Sequence, residues 1–267
     1  MHPMLNIAAR AARTAGNLIA RNIGQQGNFE VATKNKDDLV TSIDKQCEKV
    51  VADTLLKAYR DHCILGEEGG VIGNPDSEYQ WVVDPIDGTT NFVQGIAHCA
   101  VSIALRHNGK TEVGVVFDPI LNEMFTAARG EGAFLNGHRI RVGQRDSLDG
   151  SIIGTAFPTR YRDRMPAYLE LFTRLISNCA DIRRSGSASL DLCYVACGRF
   201  DGYLEQGLKQ WDFAAGDLIV REAGGLVTDF TGEPSYVKSG NIVAANPKVL
   251  RSLLKICDVQ NLPAILR

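Results

Sequence analysis

The stretch Trp81-Val82-Val83-Asp84-Pro85-Ile86-Asp87-Gly88-Thr89-Thr90-Asn91-Phe92 places two carboxylates directly after a strand-like apolar run. A proline stiffens the turn between the two acids, and a glycine and two hydroxyl residues follow them. Carboxylates at the mouth of a buried strand can hold hard cations, and the N–H groups and hydroxyls after them can bind an anion. The stretch therefore predicts metal-assisted phosphate chemistry.

The surrounding segment is acidic and has no local basic partner. No lysine or arginine occurs between Arg60 and Arg106, whereas the acidic residues there are Asp61, Glu67, Glu68, Asp76, Glu78, Asp84 and Asp87. A solvated acidic face explains Asp76 and Glu78, which lie in a polar loop. It explains Asp84 poorly, because a buried carboxylate needs a cation or a hydrogen-bond network.

The composition excludes several classes of protein. The chain has 267 residues, of which 45% are hydrophobic and 22% charged, as in an ordinary globular protein. The formal net charge of −2 gives no basic footprint for general nucleic-acid binding. The N-terminal residues do not resemble a signal peptide, and no apolar run is long enough to span a bilayer. The odd number of cysteines, seven, predicts a reduced, cytoplasmic protein with buried thiols.

The periodicity of apolar residues predicts an α/β protein. Helical spacing covers residues 4–21, and Thr41-Ser42-Ile43-Asp44 resembles a helix N-terminus. Residues 63–137 predict short strands joined by tight turns, and strands alternate with helices after about residue 150. We predict one compact unit with a soft boundary: residues 1–150 form an α+β half with the metal motifs, and residues 151–267 form an α/β half that closes the site.

A later acid is needed to complete a metal site. A two-metal site takes carboxylates from several elements and holds its ions roughly 3.5–4 Å apart. Glu67, Asp84 and Asp87 are the early candidates, and Asp212 is the best later one because it opens a predicted helix. The same position also suits a helix N-cap, so both interpretations of Asp212 stay open at this point.

Three segments resemble, in order and spacing, the signatures of the inositol monophosphatase family. They are Gly66-Glu67-Glu68, Asp84 to Phe92 and Trp211-Asp212-Phe213-Ala214-Ala215-Gly216. The resemblance covers essentially the whole chain, and 183–188 and 240–246 are similar to the SuhB-type branch of gammaproteobacteria. It implies the fold of the superfamily that includes fructose-1,6-bisphosphatase: a layered αβαβα sandwich with an antiparallel N-terminal sheet and a mixed C-terminal sheet.

The resemblance implies a Mg²⁺-dependent, Li⁺-sensitive phosphatase acting on myo-inositol 1-phosphate and related polyol phosphates. Two to three Mg²⁺ ions would be bound. Glu67, Asp84 and the carbonyl of Ile86 would hold the first ion, with Glu67 also holding a weaker third ion through water. Asp84, Asp87 and Asp212 would hold the second.

The resemblance also assigns the attacking water. Thr89, oriented by Asp44, would position and deprotonate it. A threonine hydroxyl can take a proton only if its own proton has an acceptor, which a nearby carboxylate provides. Helix capping by Asp44 and a turn or cap hydroxyl at Thr89 remain the structural alternatives.

The substrate contacts implied by the resemblance come from both parts of the chain. The N–H groups of Gly88 and Thr89 would bind phosphate at a helix start. The polyol pocket would be lined by Asn91, Gly186, Ser187, Ala188 and Glu205. An ordinary exposed acid at a strand end is the alternative for Glu205.

Partner interactions follow from the resemblance alone. The family is usually homodimeric. SuhB-type proteins also act in transcription antitermination, which implies NusA and RNA polymerase as partners. Arg183 and Arg184 could contribute to a partner or dimer contact, and the alternative is that they pair with acids of their own fold.

Overall fold

The computed structural model describes residues 2–25, 27, 29–35, 38–159 and 161–257, so 258–267 of the predicted second half lie outside it. The helices are α1 (Pro3–Asn22), α2 (Ser42–Ala58), α3 (Thr89–Gln94), α4 (Met165–Ile176), α5 (Ala188–Ala196), α6 (Gln210–Glu222), α7 (Tyr236–Ser239) and α8 (Pro247–Ile256), with a 3₁₀ turn at Arg162–Arg164. Within these residues no helix has both the length and the apolar character that a bilayer span requires.

The strands fall into three sheets. They are β1 (Val31–Asn35), β2 (Asp38–Thr41), β3 (Cys63–Gly66), β4 (Gly70–Gly73), β5 (Tyr79–Asp87), β6 (Ala100–His107), β7 (Lys110–Asp118), β8 (Glu123–Ala128), β9 (Gly132–Leu135), β10 (His138–Arg139), β11 (Ile152–Thr155), β12 (Asp181–Arg183), β13 (Gly202–Glu205), β14 (Leu226–Thr228) and β15 (Ile242–Ala245). β1 and β2 form a separate hairpin. The large sheet has the order β10-β9-β8-β7-β6-β5-β3-β4, and the small sheet has the order β12-β11-β13-β15-β14.

The elements stack in the five predicted layers. α1 and α2 cover one face of the large sheet, and α5 and α6 cover its other face. α5 and α6 also pack against the small sheet, whose far face carries α4 and α8. The predicted αβαβα sandwich is therefore confirmed. The large sheet ends at Arg139 and the small sheet begins at Ile152, on either side of the predicted boundary.

The large sheet departs from the antiparallel prediction at one pair of strands. β3 runs parallel to β5 and antiparallel to β4. The chain turns from β3 into the edge strand β4, and then crosses to the other side of β3 before it enters β5. The small sheet is mixed, as predicted: β11 is parallel to both of its neighbours, and β15 is antiparallel to β13 and β14.

β5 carries the decisive stretch into the centre of the molecule. Trp81 and Val83 face the core under α1 and α2, whereas Val82 faces the core under α5 and α6. A strand covered on both faces buries its polar end as well as its apolar residues. The carboxylates of Asp84 and Asp87 therefore lie in the interior, with exposed fractions of only 2% and 8%.

The β1–β2 hairpin was not predicted from the sequence. Residues 22–40 are polar and rich in Gly and Gln, and no apolar alternation marks two strands there. The hairpin leads into α2, whose start was predicted correctly: Thr41 is the N-cap, and it exchanges hydrogen bonds with Asp44 in a capping box.

The cysteines agree with the prediction of reduced thiols. All seven are free, and five of them are buried. Cys193 and Cys197 lie one helical turn apart on α5, where they pack into the core between the sheets. Core packing therefore explains this pair.

Candidate active site

A cavity opens where the end of β5 meets the N-terminal ends of α5 and α6. Among the predicted site residues, the large-sheet half contributes Glu67, Asp84, Ile86, Asp87, Gly88 and Thr89 to its wall. The other half contributes Arg184, Gly186, Ser187, Ala188, Glu205 and Asp212. Residues separated by more than one hundred positions thus meet in one place. Asp44, Asn91 and Arg183 lie outside the wall.

Asp84 is, with Asp191, one of the two most buried acids of the wall. Its Oδ1 accepts a hydrogen bond from the N–H of Ile86 at 3.0 Å, which fixes the turn through Pro85. Burial raises the pKa of the Asp84 carboxyl well above its usual range, and the neighbouring carboxylates of Glu67, Asp87 and Asp212 raise it further. Like charges that converge on a buried carboxylate are stabilised by a cation placed between them.

Asp87 is held by residues of the other half. Its Oδ2 accepts hydrogen bonds from Ser187 Oγ at 2.6 Å, from the N–H of Ser189 at 2.7 Å and from Ser189 Oγ at 2.5 Å. Sequence analysis missed Ser189. The available signal was the alternation of small residues and hydroxyls in Ser185-Gly186-Ser187-Ala188-Ser189 directly before a buried helix.

Asp212 contributes to the first turn of α6 and to the cavity wall. It is the third residue of α6 and not the N-cap, which is Lys209. Its Oδ2 accepts the backbone N–H of Lys209 at 2.6 Å, so the carboxylate closes the first turn of the helix. The same side chain also lines the cavity. The N-cap interpretation is therefore wrong in position, although a capping contact exists.

Glu67 lies in the turn between β3 and β4, where its N–H donates to Val83 O at 3.1 Å. The turn is fixed from behind by Glu48 of α2, which is only 4% exposed. The carboxylate of Glu48 accepts the N–H groups of Glu68 at 2.9 Å and Gly69 at 2.6 Å. Sequence analysis missed Glu48, although an acid on the apolar face of α2, one turn after Asp44, was a visible signal.

Asp44 and Thr89 form the predicted pair across the cavity edge. Thr89 Oγ1 lies 3.1 Å from Asp44 Oδ1 and 3.0 Å from Ile86 O. Asp44 Oδ2 accepts from the N–H of Thr41 at 2.8 Å and from its hydroxyl at 2.5 Å. Capping and pairing with Thr89 therefore coexist, one on each carboxylate oxygen. Burial raises the pKa of Asp44, and the Thr41 and Thr89 hydrogen bonds oppose that rise.

Gly88 is required by the close approach of backbone at the start of α3. Its φ is +97°, and a Cβ there would lie 3.1 Å from His98 O and 3.2 Å from Gly186 O. An L-residue would thus be strained in conformation and would push against backbone from both halves. Glycine leaves the Thr89 end of α3 in the cavity wall.

Asn91 lies behind the wall. Its Nδ2 donates to His98 O at 2.8 Å and to Ser185 O at 2.9 Å, and the side chain is 7% exposed. The amide therefore ties the segment before α5 to the segment after α3. This geometry gives Asn91 a supporting position, and its direct contact with substrate stays a prediction.

Glu205 and the two arginines differ in their surroundings. Glu205 ends β13 in the cavity wall, half-buried, and the hydroxyl of Tyr203 donates to its Oε2. The exposed-acid interpretation therefore does not describe it. Arg183 is exposed, and its Nη1 lies 2.5 Å from Asp181 Oδ2, so it pairs within its own fold. Arg184 is exposed at the cavity edge.

His98 and Asp191 form a second feature that the sequence did not predict as a pair. Asp191 lines the cavity but is only 2% exposed, and burial raises the pKa of its carboxyl well above the usual range. His98 Nε2 lies 4.0 Å from Asp191 Oδ1. Burial lowers the pKa of His98, which favours a neutral ring packed against Tyr194.

The donor set of the wall fits hard divalent cations. Glu67, Asp84, Asp87 and Asp212 and the peptide carbonyl of Ile86 offer oxygen donors, the type that Mg²⁺ prefers. Over the described ranges, no three His, Cys, Asp or Glu side chains already form a group that could hold a metal ion. The carboxylates therefore line one cavity without being drawn together into a finished centre. Their mutual repulsion around Asp84 is the reason that a cation suits this cavity.

Known proteins match the chain over nearly its whole length. The model of the inositol monophosphatase family matches residues 1–262. The Nus factor SuhB of Escherichia coli K12 is 54% identical over 254 residues, 95% of each chain. The crystal structure of the extragenic suppressor protein suhB from Bartonella henselae has a TM-score of 0.93 at 41% identity and covers 96% of this chain and 98% of its own. The inositol monophosphatase from Anabaena has a TM-score of 0.85 at 36% identity, with coverages of 97% and 96%. The chain belongs to the inositol monophosphatase family.

Proposed function

We propose that this protein is a cytoplasmic, Mg²⁺-dependent phosphomonoesterase that hydrolyses myo-inositol 1-phosphate and related polyol phosphates. The observation that carries the proposal is the shared cavity of Glu67, Asp84, Asp87 and Asp212, with the Asp44–Thr89 pair at its edge. Carboxylates for cations beside a hydroxyl with its own proton acceptor are the groups that hydrolysis of a phosphate ester by water requires. The Anabaena relative bears the name of this activity.

The oxygen donors in the cavity wall suggest which residues would hold each metal ion. Glu67, Asp84 and the Ile86 carbonyl would hold one ion, and Asp84, Asp87 and Asp212 a second, with Asp84 shared. A third, weaker ion would lie near Glu67. When bound, Mg²⁺ supplies charge neutralisation at the phosphoryl group and lowers the pKa of water.

The protein's own groups move the proton. Thr89 Oγ1 receives the proton of the attacking water and passes its own to Asp44 Oδ1, 3.1 Å away. The second contact of Thr89, to Ile86 O, keeps the hydroxyl directed along the end of β5. The N–H groups of Gly88 and Thr89 bind the phosphate.

The polyol is held mainly by the C-terminal half. Gly186, Ser187 and Ala188 line the cavity beside the acids, and Glu205 accepts hydrogen bonds from ring hydroxyls. Asn91 acts from behind by fixing Ser185. Sugar phosphates and glycerol 2-phosphate fit the same donor and acceptor set.

Phosphate release from myo-inositol 1-phosphate, with and without Mg²⁺, tests the function. Asp87→Asn removes the charge of a proposed ligand at nearly constant volume. We expect Mg²⁺-dependent turnover by wild type and a loss of at least about 100-fold in Asp87→Asn, since metal-ion stabilisation amounts to several kcal/mol. Asp146→Asn, the same change at an exposed residue, is the matched control and should retain activity.

Full activity of Asp87→Asn would contradict the ligand assignment. No turnover by folded wild type, with any of the polyol phosphates named, would reject the proposed activity. Unchanged turnover after complete removal of Mg²⁺ would reject the metal requirement.

We also infer a role as a partner in transcription antitermination, in contact with NusA or RNA polymerase and with the protein acting as a homodimer. The support is the 54% identity to a relative called a Nus factor. Arg184 is exposed, so it can contact a partner, whereas Arg183 is already paired with Asp181.

Pull-downs from cell lysate test the partner role. We expect wild type to recover NusA or RNA polymerase and Arg184→Ala to recover less. Because Arg184 also lines the cavity, Asp87→Asn serves as the control and should recover partners like wild type. Recovery of neither partner by wild type would count against this role. Light scattering of the same preparation gives the oligomeric mass relative to the 29.1 kDa chain.

A further inference from the structure

One oxygen of Asp87 is saturated by donors from a single short segment. Oδ2 accepts three hydrogen bonds at 2.5–2.7 Å, two from Ser189 and one from Ser187. Asp87 ends a strand of the large sheet, whereas both serines lie at the start of α5 beside the small sheet. The carboxylate is therefore oriented by the opposite half of the molecule.

The saturation of Oδ2 leaves the other oxygen for a different partner. Among the described residues, no side chain or N–H donates a hydrogen bond to Asp87 Oδ1, although Asp87 lines the cavity. Three donors on one oxygen also prevent the carboxylate from rotating. A cation that binds Asp87 therefore does not have to restrict this rotation itself. The hydrogen bonds thus fix the carboxylate and leave Oδ1 for a partner in the cavity that Asp87 lines.

The segment that supplies the donors is itself anchored. Asn91 Nδ2 donates to Ser185 O, and Gly186 adopts a φ of +97° against the same amide. Ser189 follows as the second residue of α5 and is 0% exposed. Ser187 lines the cavity, but Ser189 does not, so Ser189 reaches the cavity through its hydrogen bonds to Asp87.

We propose that Ser189 is a positioning residue for the divalent-cation site. Its hydroxyl and N–H hold Asp87 through Oδ2, so that Oδ1 would be left for the cation, and cation affinity therefore depends on the docking of α5 against β5. The inference rests on the proposed function, because it takes Asp87 as a cation ligand. It adds a residue that acts behind that ligand and couples cation binding to the contact between the two sheets.

Calorimetric titration of the full-length protein with MgCl₂ tests the proposal without catalysis, and the Mg²⁺ activation of phosphate release is measured in parallel. Ser189→Ala removes one of the three hydrogen bonds and keeps the N–H. We expect the Kd for Mg²⁺ to rise about tenfold, a typical effect of removing a residue that orients a metal ligand. At saturating Mg²⁺ the KM for substrate should stay near the wild-type value, because Ser189 does not line the cavity. Ser189→Thr keeps the hydroxyl and should restore the affinity.

Ser151→Ala is the matched control. Ser151 is also 0% exposed, its Oγ donates to Leu148 O at 2.6 Å, and it does not line the cavity. Loss of this buried hydrogen bond should lower Tm without changing the Kd for Mg²⁺. An equal rise of Kd in Ser189→Ala and Ser151→Ala would therefore overturn the positioning role.

The Asp87→Asn variant distinguishes a failure of the positioning role of Ser189 from a failure of the metal assignment of Asp87. If Asp87→Asn weakens Mg²⁺ binding but Ser189→Ala leaves it at the wild-type value, the positioning role is wrong and the proposed ligand stands. If Asp87→Asn binds Mg²⁺ as wild type does, Asp87 is not a ligand, and the metal assignment of the proposed function fails together with this inference.

Discussion

Thr89→Ala is expected to lower kcat for phosphate release by about 10² to 10⁴-fold at saturating Mg²⁺, the usual contribution of a positioned proton-transfer group. The hydroxyl that is lost lies 3.1 Å from Asp44 Oδ1, its proton acceptor. Because Thr89 is not one of the proposed carboxylate ligands, the Kd for Mg²⁺ should stay near the wild-type value. Steady-state kinetics and a Mg²⁺ titration of the same samples measure the two effects separately.

Thr90→Ala is the control for this prediction. It makes the same change one residue further along the same helix, at an exposed side chain that also lines the cavity but has no proposed part in proton transfer. It should leave kcat within a few-fold of wild type. Asp44→Asn should lower kcat as Thr89→Ala does, and the double variant should lose little more, because groups that act as one unit are not additive. A Thr89→Ala enzyme with wild-type kcat would remove this pair from the mechanism.

Asp44→Asn has a second, separable consequence. Asp44 Oδ2 accepts two hydrogen bonds from Thr41 at the start of α2, so this variant also weakens a helix cap. A cap is typically worth about 1 kcal/mol, which a thermal unfolding curve detects. Thr89→Ala leaves that cap intact, so the comparison separates the loss of proton transfer from the loss of stability.

The layered fold was predictable because its elements are strongly periodic and its turns are marked. The helices around α1 and α5 and the strands β5 to β8 follow from apolar spacing and from Gly/Asn/Pro turns. The β1–β2 hairpin and the parallel pairing of β3 with β5 were not predictable in this way. Both depend on where a polar or edge segment finds a partner, which local periodicity does not encode.

The residues that line the candidate site were predictable from chemistry, but the residues that hydrogen-bond to them from behind were not. Asp84 could be singled out because a carboxylate that follows a buried apolar run needs a cation or a hydrogen-bond network. Glu48 and Ser189 act by hydrogen bonds to residues 20 or more positions away, and each resembles an ordinary helix residue in the sequence. Such contacts exist only after the sheets have packed, and so the structure was needed to find them.

The packing of β7 against α6 affects the candidate site, because α6 carries Asp212. Gly114 lies in β7, and a Cβ at this position would lie 2.8 Å from Ala215 O and 3.2 Å from Ala215 Cα. Its backbone φ is not in the left-handed region, so the restriction is one of space and not of conformation. The opposing atoms belong to the backbone of α6, which cannot rotate away as a side chain can.

Gly114→Ala is therefore expected to destabilise the protein by about 1–3 kcal/mol, and Gly114→Val by more, because overpacking forces backbone to shift. The shift would move α6, whose first turn carries Asp212, so the Kd for Mg²⁺ should rise in the fraction that still folds. Thermal unfolding and calorimetric Mg²⁺ titration measure the two effects.

Gly143→Ala is the matched control, since its Cβ would meet its nearest neighbour at an ordinary 3.4 Å, and its Tm should change little. Wild-type Tm in Gly114→Val would show that α6 and β7 are not packed this closely, and the position of Asp212 would then depend on other contacts.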